Sequence, residues 1–454
     1  MGSKTYDFLN NSFLFDDSYI DSEFEGILER DMQKELQRYR EFCISVEAEL
    51  EREILSDDSS LKLFSGVQEP DISVLKQSAL YVHQHILYDP LFAVTEPPNN
   101  LTKAFNKLFG ADDGSIDKRK VARIIHYLKE LTPMVAADYV KFLPTSFMFE
   151  LPLEVPIEAS NNFFEECIPP TLRQFMYDNV IVRSVTTLEN GYIRFEDKLR
   201  ACRHIAVNFK DHYTDRAQFW VLTPQRKVVS ADKESGVIHL EIPLSDTQPD
   251  RETFLSWVHQ SVNQTAGDIY RRLLLENMFS SKFKAFYMTD SAFIFRLLGE
   301  LIPANDGSQS EIVNTLLKMD VSFLDGMDSE ILMRIRLQEG EAFENFRLEL
   351  DKHLRYLRGI ENPNVLQVKA EDVMHELIEV EIPRVNKQMG YLRKRLFLDA
   401  AILAASLYCT VQSGGLSLPV ALGAGLQVYR SVADYQRHKR ENPAFFLWRV
   451  LGNA

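Results

Sequence analysis

The period of the hydrophobic pattern changes twice along this chain, and that change limits the fold more than any motif does. From Phe24 to Ile54 apolar residues recur at Phe24, Leu28, Met32, Leu36, Tyr39, Cys43, Val46, Leu50 and Ile54. Steps of three or four draw one stripe along a long helix. Segments 71–94 and 117–132 read as further helices, separated by the turn-rich EPPNN and GADDGS stretches. Between about 144 and 245 the texture becomes β-branched runs broken by Pro and Gly: SFMFELPLEVPIE, NVIVRSVTTLENGYIRFE and RKVVSADKESGVIHLEIPL. Asn190-Gly191, set between two apolar runs, predicts a hairpin because both residues tolerate positive φ, and Lys233 to Gly236 predicts a second. The helical period returns from about 251 and runs on to Phe343, Phe346, Leu350, Leu354 and Leu357. Asp328 is placed to cap a helix there, with Glu330 in its first turn, where the helix dipole favours a carboxylate.

The second constraint is LFLDAAILAASLYCTVQSGGLSLPVALGAGLQVY, residues 396–429, which holds one carboxylate, Asp399, and no cation. Its arms, 396–412 and 418–429, would form helices of about 25 and 18 Å, whereas a hydrocarbon core needs about 30 Å. Ser413-Gly414-Gly415 permits a sharp reversal and Pro419 suits the first turn of a returning helix. A helical hairpin is therefore expected, with Arg393, Lys394 and Arg395 before it and Arg430 and Arg437 after it at the same end. Ala and Gly on both arms would let the two helices pack closely in a protein interior, and Asn442-Pro443 followed by AFFLW supplies an aromatic plug. The alternative is a hairpin that dips into a bilayer with its cations at the headgroups.

These patterns predict an α+β protein, mostly α-helical: a helical body, a small antiparallel sheet and a buried C-terminal helical hairpin. The expected regions are 1–143, acidic and helical; 144–250, mixed with β-hairpins; 251–383, helical; and 384–454, the basic-flanked apolar hairpin with its aromatic tail. A length of 454 residues accommodates two or three domains. Four cysteines far apart, with no C-x-x-C, and an N-terminus without a basic region leading an apolar run point to the cytoplasm.

Charge is unevenly distributed. Residues 1–70 carry 17 acids against 7 bases and residues 384–440 carry 9 bases against 2 acids, in a chain of formal net charge -15. One part of the chain can neutralise another, and the basic C-terminal block, through Arg393, Lys394, Arg395, Arg430 and Arg437, is the expected interaction surface. The acidic bulk argues against nucleic acid as the main ligand.

Chemistry is sparsely signalled. His83 and His85 stand two apart in YVHQHILYDP, which would bring both imidazoles to one face of a strand but splay them on a helix, and the flanks read as helical. Asp372, His375 and Glu379 share one helical face in EDVMHELIEVE and are the best metal-ligand candidates, although H-E-x-x-E is not a zinc-binding H-E-x-x-H, and a solvated charged face is the simpler reading. No G-x-S-x-G elbow, phosphate-binding P-loop or G-x-G-x-x-G occurs, so no cofactor is expected and the reading leans away from catalysis.

YDPLF at 88–92 with its preceding Leu87, LTPMVAADYVKFLP at 131–144, FLDGMDSEILMRIRLQEGEAFENFR at 323–347 and NPAFFLWRV at 442–450 together resemble a loose group of uncharacterised bacterial proteins with a helical body and an aromatic C-terminal tail. The resemblance implies a bacterial cytoplasmic protein, an accessory or defence component, and carries over no catalytic residue. The functional expectation is a non-enzymatic macromolecular interaction protein that takes a protein partner or self-associates. A membrane-active effector using the 396–429 hairpin is the alternative, and an enzyme with an unrecognised site is a third.

Overall fold

The computed structural model describes residues 3–56, 61–95, 116–144, 168–187, 193–196, 198–212, 217–222, 227–231, 238–241, 248–301, 327–355, 365, 368–369, 372 and 445–451. In chain order the helices and strands are α1 (Lys4–Leu9), α2 (Asp17–Asp21), α3 (Glu29–Ser45), α4 (Glu47–Leu55), β1 (Lys62–Ser65), α5 (Ile72–Ser78), β2 (Gln84–Tyr88), α6 (Pro90–Val94), α7 (Lys118–Glu130), α8 (Thr132–Ala136) and β3 (Val140–Leu143). There follow α9 (Pro170–Asn179), β4 (Val180–Thr187), β5 (Ile193–Glu196), β6 (His204–Phe209), β7 (Gln218–Val221), β8 (Lys227–Ala231), β9 (Ile238–Glu241) and α10 (Arg251–Lys282). The last elements are β10 (Ala285–Met288), α11 (Ala292–Leu301), α12 (Ser329–Gln338), α13 (Gly340–Arg355) and α14 (Phe445–Leu451). The fold is α+β and mostly helical, and it divides into two compact units: 1–150 with 280–288 and 308–454, and 151–279 with 289–307.

Unit one is built on a four-stranded, all-parallel sheet of order β10-β1-β2-β3. The sequence pattern did not predict it. Segment 71–94, read as one helix, is instead α5, β2 and α6 in succession. Every residue of β1 and of β3 is buried, and a strand covered on both faces shows no in-out alternation to read.

The amphipathic helices follow their stripe. Met32, Leu36, Tyr39 and Cys43 of α3 are buried, the helix yields at Val46, and Leu50 and Ile54 continue the buried face along α4. Asp328 caps α12 by accepting the Glu330 N–H, as expected. The aromatic tail also packs as expected: Phe445, Phe446 and Val450 of α14 are buried, with the Phe446 ring against Phe343 at 5.1 Å and Phe346 at 5.8 Å. Burial of a large apolar side chain is worth about 1.5–3 kcal/mol, so this short helix contributes several kcal/mol to unit one.

Unit two carries the expected antiparallel sheet, of order β5-β4-β6-β7, and the two-stranded ribbon β8-β9. Asn190-Gly191 and Lys233 to Gly236 lie outside the described residues, but the strands on either side of each pair as expected, β4 with β5 and β8 with β9. The long helix α10 lies against one face of the larger sheet, where Phe254 and Val262 meet Ile205 and Val207, and Trp257, Val258 and Trp220 close the edges. The Trp220 indole N–H donates to Thr265 Oγ1 at 3.0 Å, so its one polar atom is satisfied within that contact.

The hairpin 396–429 and its flanking Arg393, Lys394, Arg395, Arg430 and Arg437 lie outside the described residues, as do His375 and Glu379. Asp372 is exposed and pairs with Lys369 at 3.3 Å. Among the described residues no helix is long and apolar enough to cross a membrane.

Candidate functional site

Three places gather groups that could do chemistry or make contacts, and their geometry separates them. The first is where β2 meets α5. Ser78 Oγ lies 3.0 Å from His85 Nδ1 and 2.5 Å from the Tyr139 hydroxyl, and both hydroxyls reach the Leu75 carbonyl at 3.0 Å. A serine beside an imidazole has the outline of an activated nucleophile. Here, however, all three residues are buried, and burial holds the His85 imidazole down to about 3, so it stays neutral at any ordinary pH. His85 Nε2, where a base would need an orienting carboxylate, has no hydrogen-bond partner among the described residues. With the proton on Nδ1, that atom donates to Ser78 and leaves only an acceptor lone pair unmet, which is the less costly arrangement. The cluster pins the end of α5 to the sheet.

His83 turns elsewhere. It sits in the bend before β2 rather than on a helix, its Nδ1 accepts the Leu61 N–H at 2.9 Å, and its Nε2 meets Glu344 Oε1 at 2.5 Å. The two histidines thus have separate partners, and no group of three His, Cys, Asp or Glu suited to a metal ion occurs among the described residues. Beside them, the Arg336 guanidinium donates to the Ala79, Val82 and His83 carbonyls, and its centre lies 4.7 Å from the Tyr139 ring centroid and 4.4 Å from that of Phe343. A distant arginine thereby supplies the donors that the carbonyls at the end of α5 lack.

The second place is the carboxyl end of the parallel sheet. β1 leads to its neighbour β2 and β2 to its neighbour β3, whereas β10 returns on the far side of β1. In open α/β sheets such a reversal marks the crevice where ligands sit. In this chain Gly66 N–H donates to the Met288 carbonyl at 2.8 Å, and the Tyr287 hydroxyl fills the space that a side chain at Gly66 would need. The first free N–H of α5 is met by the Asp71 carboxylate, which accepts from Ser73 at 2.8 Å. Protein groups therefore occupy the positions that a phosphate would use.

One strand along, Asp89 caps α6 through the Phe92 N–H at 2.9 Å and accepts from the Tyr39 hydroxyl at 2.6 Å. Burial raises its carboxyl to about 6, and these hydrogen bonds restrain the rise. Tyr39 and Cys43 are buried beside it, and burial raises both, Tyr39 well above the ordinary range. A buried acid with a raised value is a common sign of a catalytic site, but these partners are core side chains that water does not reach.

The third place is the face of the unit-two sheet that the described elements leave uncovered. Register puts Val185 opposite Phe195, and Ala206 opposite both Arg183 and Phe219. Alternation then sets Arg183, Val185, Phe195, His204, Ala206 and Phe219 on the face away from α10. Phe195 on β5 and Phe219 on β7 are separated by two strands, yet their ring centroids are 5.9 Å apart at an interplanar angle of 37°. Val185 and Ala206, on the strands between, are buried. Phe219 is 53% exposed, Phe195 is half-buried and His204 is exposed. Arg183 is half-buried and makes no ion pair among the described residues.

In comparisons with known proteins the chain matches no family model, no curated protein and no solved structure. Sequence reasoning missed Phe195 and Phe219 because they are 24 positions apart on strands that are not neighbours. The hairpin signal at Asn190-Gly191 fixed one partnership of the sheet, but nothing in the pattern brings β7 beside β6.

Proposed function

We propose that the chain acts by binding another macromolecule, and that the uncovered face of the unit-two sheet, centred on Phe195 and Phe219, is the surface it uses. The observation that carries this reading is the exposure of Phe219 beside a second aromatic ring, on a sheet whose opposite face is packed. Large apolar groups gathered in water mark contact surfaces more often than they mark anything else. The groups in unit one that resemble catalytic machinery are engaged with one another in the core, and a substrate would have to open that core to reach them. Free thiols at Cys43 and Cys202 fit a reducing compartment, in keeping with a cytoplasmic protein.

Photo-crosslinking tests this reading. A photoreactive phenylalanine analogue at position 219 of the full-length chain, illuminated in the host cell, is expected to give a discrete adduct with another macromolecule or with a second copy of the chain. The same analogue at exposed Glu25 serves as the control. Equal labelling from both positions, or none from 219, overturns the proposal.

A further inference from the structure

The uncovered sheet face has a chemical character that the chain as a whole does not share. The sequence holds 66 acids against 51 bases, but residues 180–221 hold seven Lys and Arg against five Asp and Glu. On the face itself Arg183 and His204 flank the aromatic pair, and none of its described residues is acidic. Lys198 and Arg200 are exposed just beyond the β5 edge, and exposed Arg194 stands on β5 itself, on the alternate side from Phe195. Among the described residues only Arg200 has a carboxylate paired with it, Glu196 at 3.8 Å, a separation and exposure that leave its charge available. The low whole-chain charge that argues against nucleic acid is an average, and an ion at this surface responds to the groups within about 10 Å of it at ordinary salt.

We propose that this face binds single-stranded nucleic acid, with bases stacking on Phe195 and Phe219 and phosphates meeting Arg183 and the cations of the β5 edge. The inference rests on the reading of the face as a binding surface and names the partner. A sheet face that carries the exposed Phe219 ring against the half-buried Phe195 ring offers a stacking surface for unpaired bases, and every base has a π-face to offer it. Four strands about 4.8 Å apart make a platform about 14 Å wide, enough for two or three nucleotides. A duplex hides its bases from such a platform, and an acidic peptide would satisfy the arginines but leave the rings without flat partners.

Fluorescence anisotropy of a labelled single-stranded 20-mer of mixed sequence, titrated with the full-length chain, tests this. Binding at 50 mM salt is expected to weaken about seven- to eighteenfold at 200 mM, as two to three phosphate contacts on a single strand require. Phe219→Ala is expected to raise Kd about tenfold, within the range for loss of one base–aromatic stack, while Phe219→Tyr retains binding. Arg183→Ala is expected to flatten the dependence of log K on log salt by about 0.7. A matched duplex should bind more weakly and be indifferent to Phe219→Ala. No binding to the single strand, or binding that ignores both substitutions, overturns the inference. If position 219 still crosslinks to a protein in that event, the face remains a binding surface and only the nucleic-acid assignment falls.

Discussion

The two sheets of this protein treat their polar and aromatic groups in opposite ways. In unit one the parallel strands are enclosed, and polar side chains that enter the interior are engaged there: Lys62 donates to the Ile54 carbonyl at the end of α4, Lys141 to Asp138, Tyr39 to Asp89 and Ser78 to the Leu75 carbonyl, while the Tyr81 hydroxyl and Gln84 Oε1 are left without a partner among the described residues. In unit two the antiparallel sheet packs one face against α10, and its other face carries exposed Phe219 against half-buried Phe195, together with an arginine that has no ion-pair partner among the described residues. Buried polar groups that satisfy one another hold a structure together, since leaving any of them unmet costs about 1–3 kcal/mol. Apolar and cationic groups left in water do nothing for stability. They are where function should be sought.

Removing a partner from the enclosed sheet should have the largest effect. Arg336→Met leaves three carbonyls at the α5–β2 turn without donors while keeping most of the side-chain bulk, and should lower stability by about 2–4 kcal/mol. Urea denaturation should show the midpoint falling with the slope unchanged. A loss below about 0.5 kcal/mol would break the claim that this arginine closes the turn.

A smaller effect is expected from pH. Asp89 is an acid whose folded value of about 6 lies above the ordinary one. Its stabilising contribution is complete below about pH 4 and is lost as pH rises through 6. His85 is a base whose folded value of about 3 lies below the ordinary one. Its contribution is complete above about pH 6.5 and is lost as pH falls toward 3. Between about pH 4 and 6 the two slopes oppose each other, so these groups together leave stability nearly level across that window. His85→Leu leaves Asp89 unopposed, and stability should then fall with rising pH by up to about 1.4 kcal/mol per unit. Asp89→Asn should produce the opposite slope. Denaturation at half-unit pH steps distinguishes them, and identical profiles for both variants would show that neither group titrates as its burial requires.

The smallest effect on stability should come from the exposed ring. Phe219→Ala removes a side chain already half in water and should change stability by no more than about 0.5 kcal/mol. A loss of 2 kcal/mol or more would place Phe219 in the core and erase the contrast between the two sheets.

How much of this was legible in the sequence depended on burial. Met32, Leu36, Tyr39 and Cys43 announce α3 because only one side of that helix is buried, and Asn190-Gly191 announces the β4–β5 hairpin because its turn needs residues that accept positive φ. Asp328 was readable as a cap, and the AFFLW tail as a plug, for equally local reasons. The parallel sheet was not readable. KLFS and VKFL are four residues long and buried throughout, and each carries a lysine whose charge suggests a surface position until its partner is seen. The His83/His85 pair misled in the same way, because helical flanks hid a bend and a strand that give the two imidazoles different partners. Phe195 and Phe219 lay beyond reach because their meeting depends on the order in which four strands pair.

The most direct measurement is made on one protein, the full-length chain carrying Phe195→Ala and Phe219→Ala together, with partner retention and the urea midpoint read on the same preparation. Retention should fall at least tenfold while the midpoint stays close to that of the parent chain. Undiminished retention, or a midpoint that collapses along with it, would contradict the division between a sheet that stabilises and a sheet that binds.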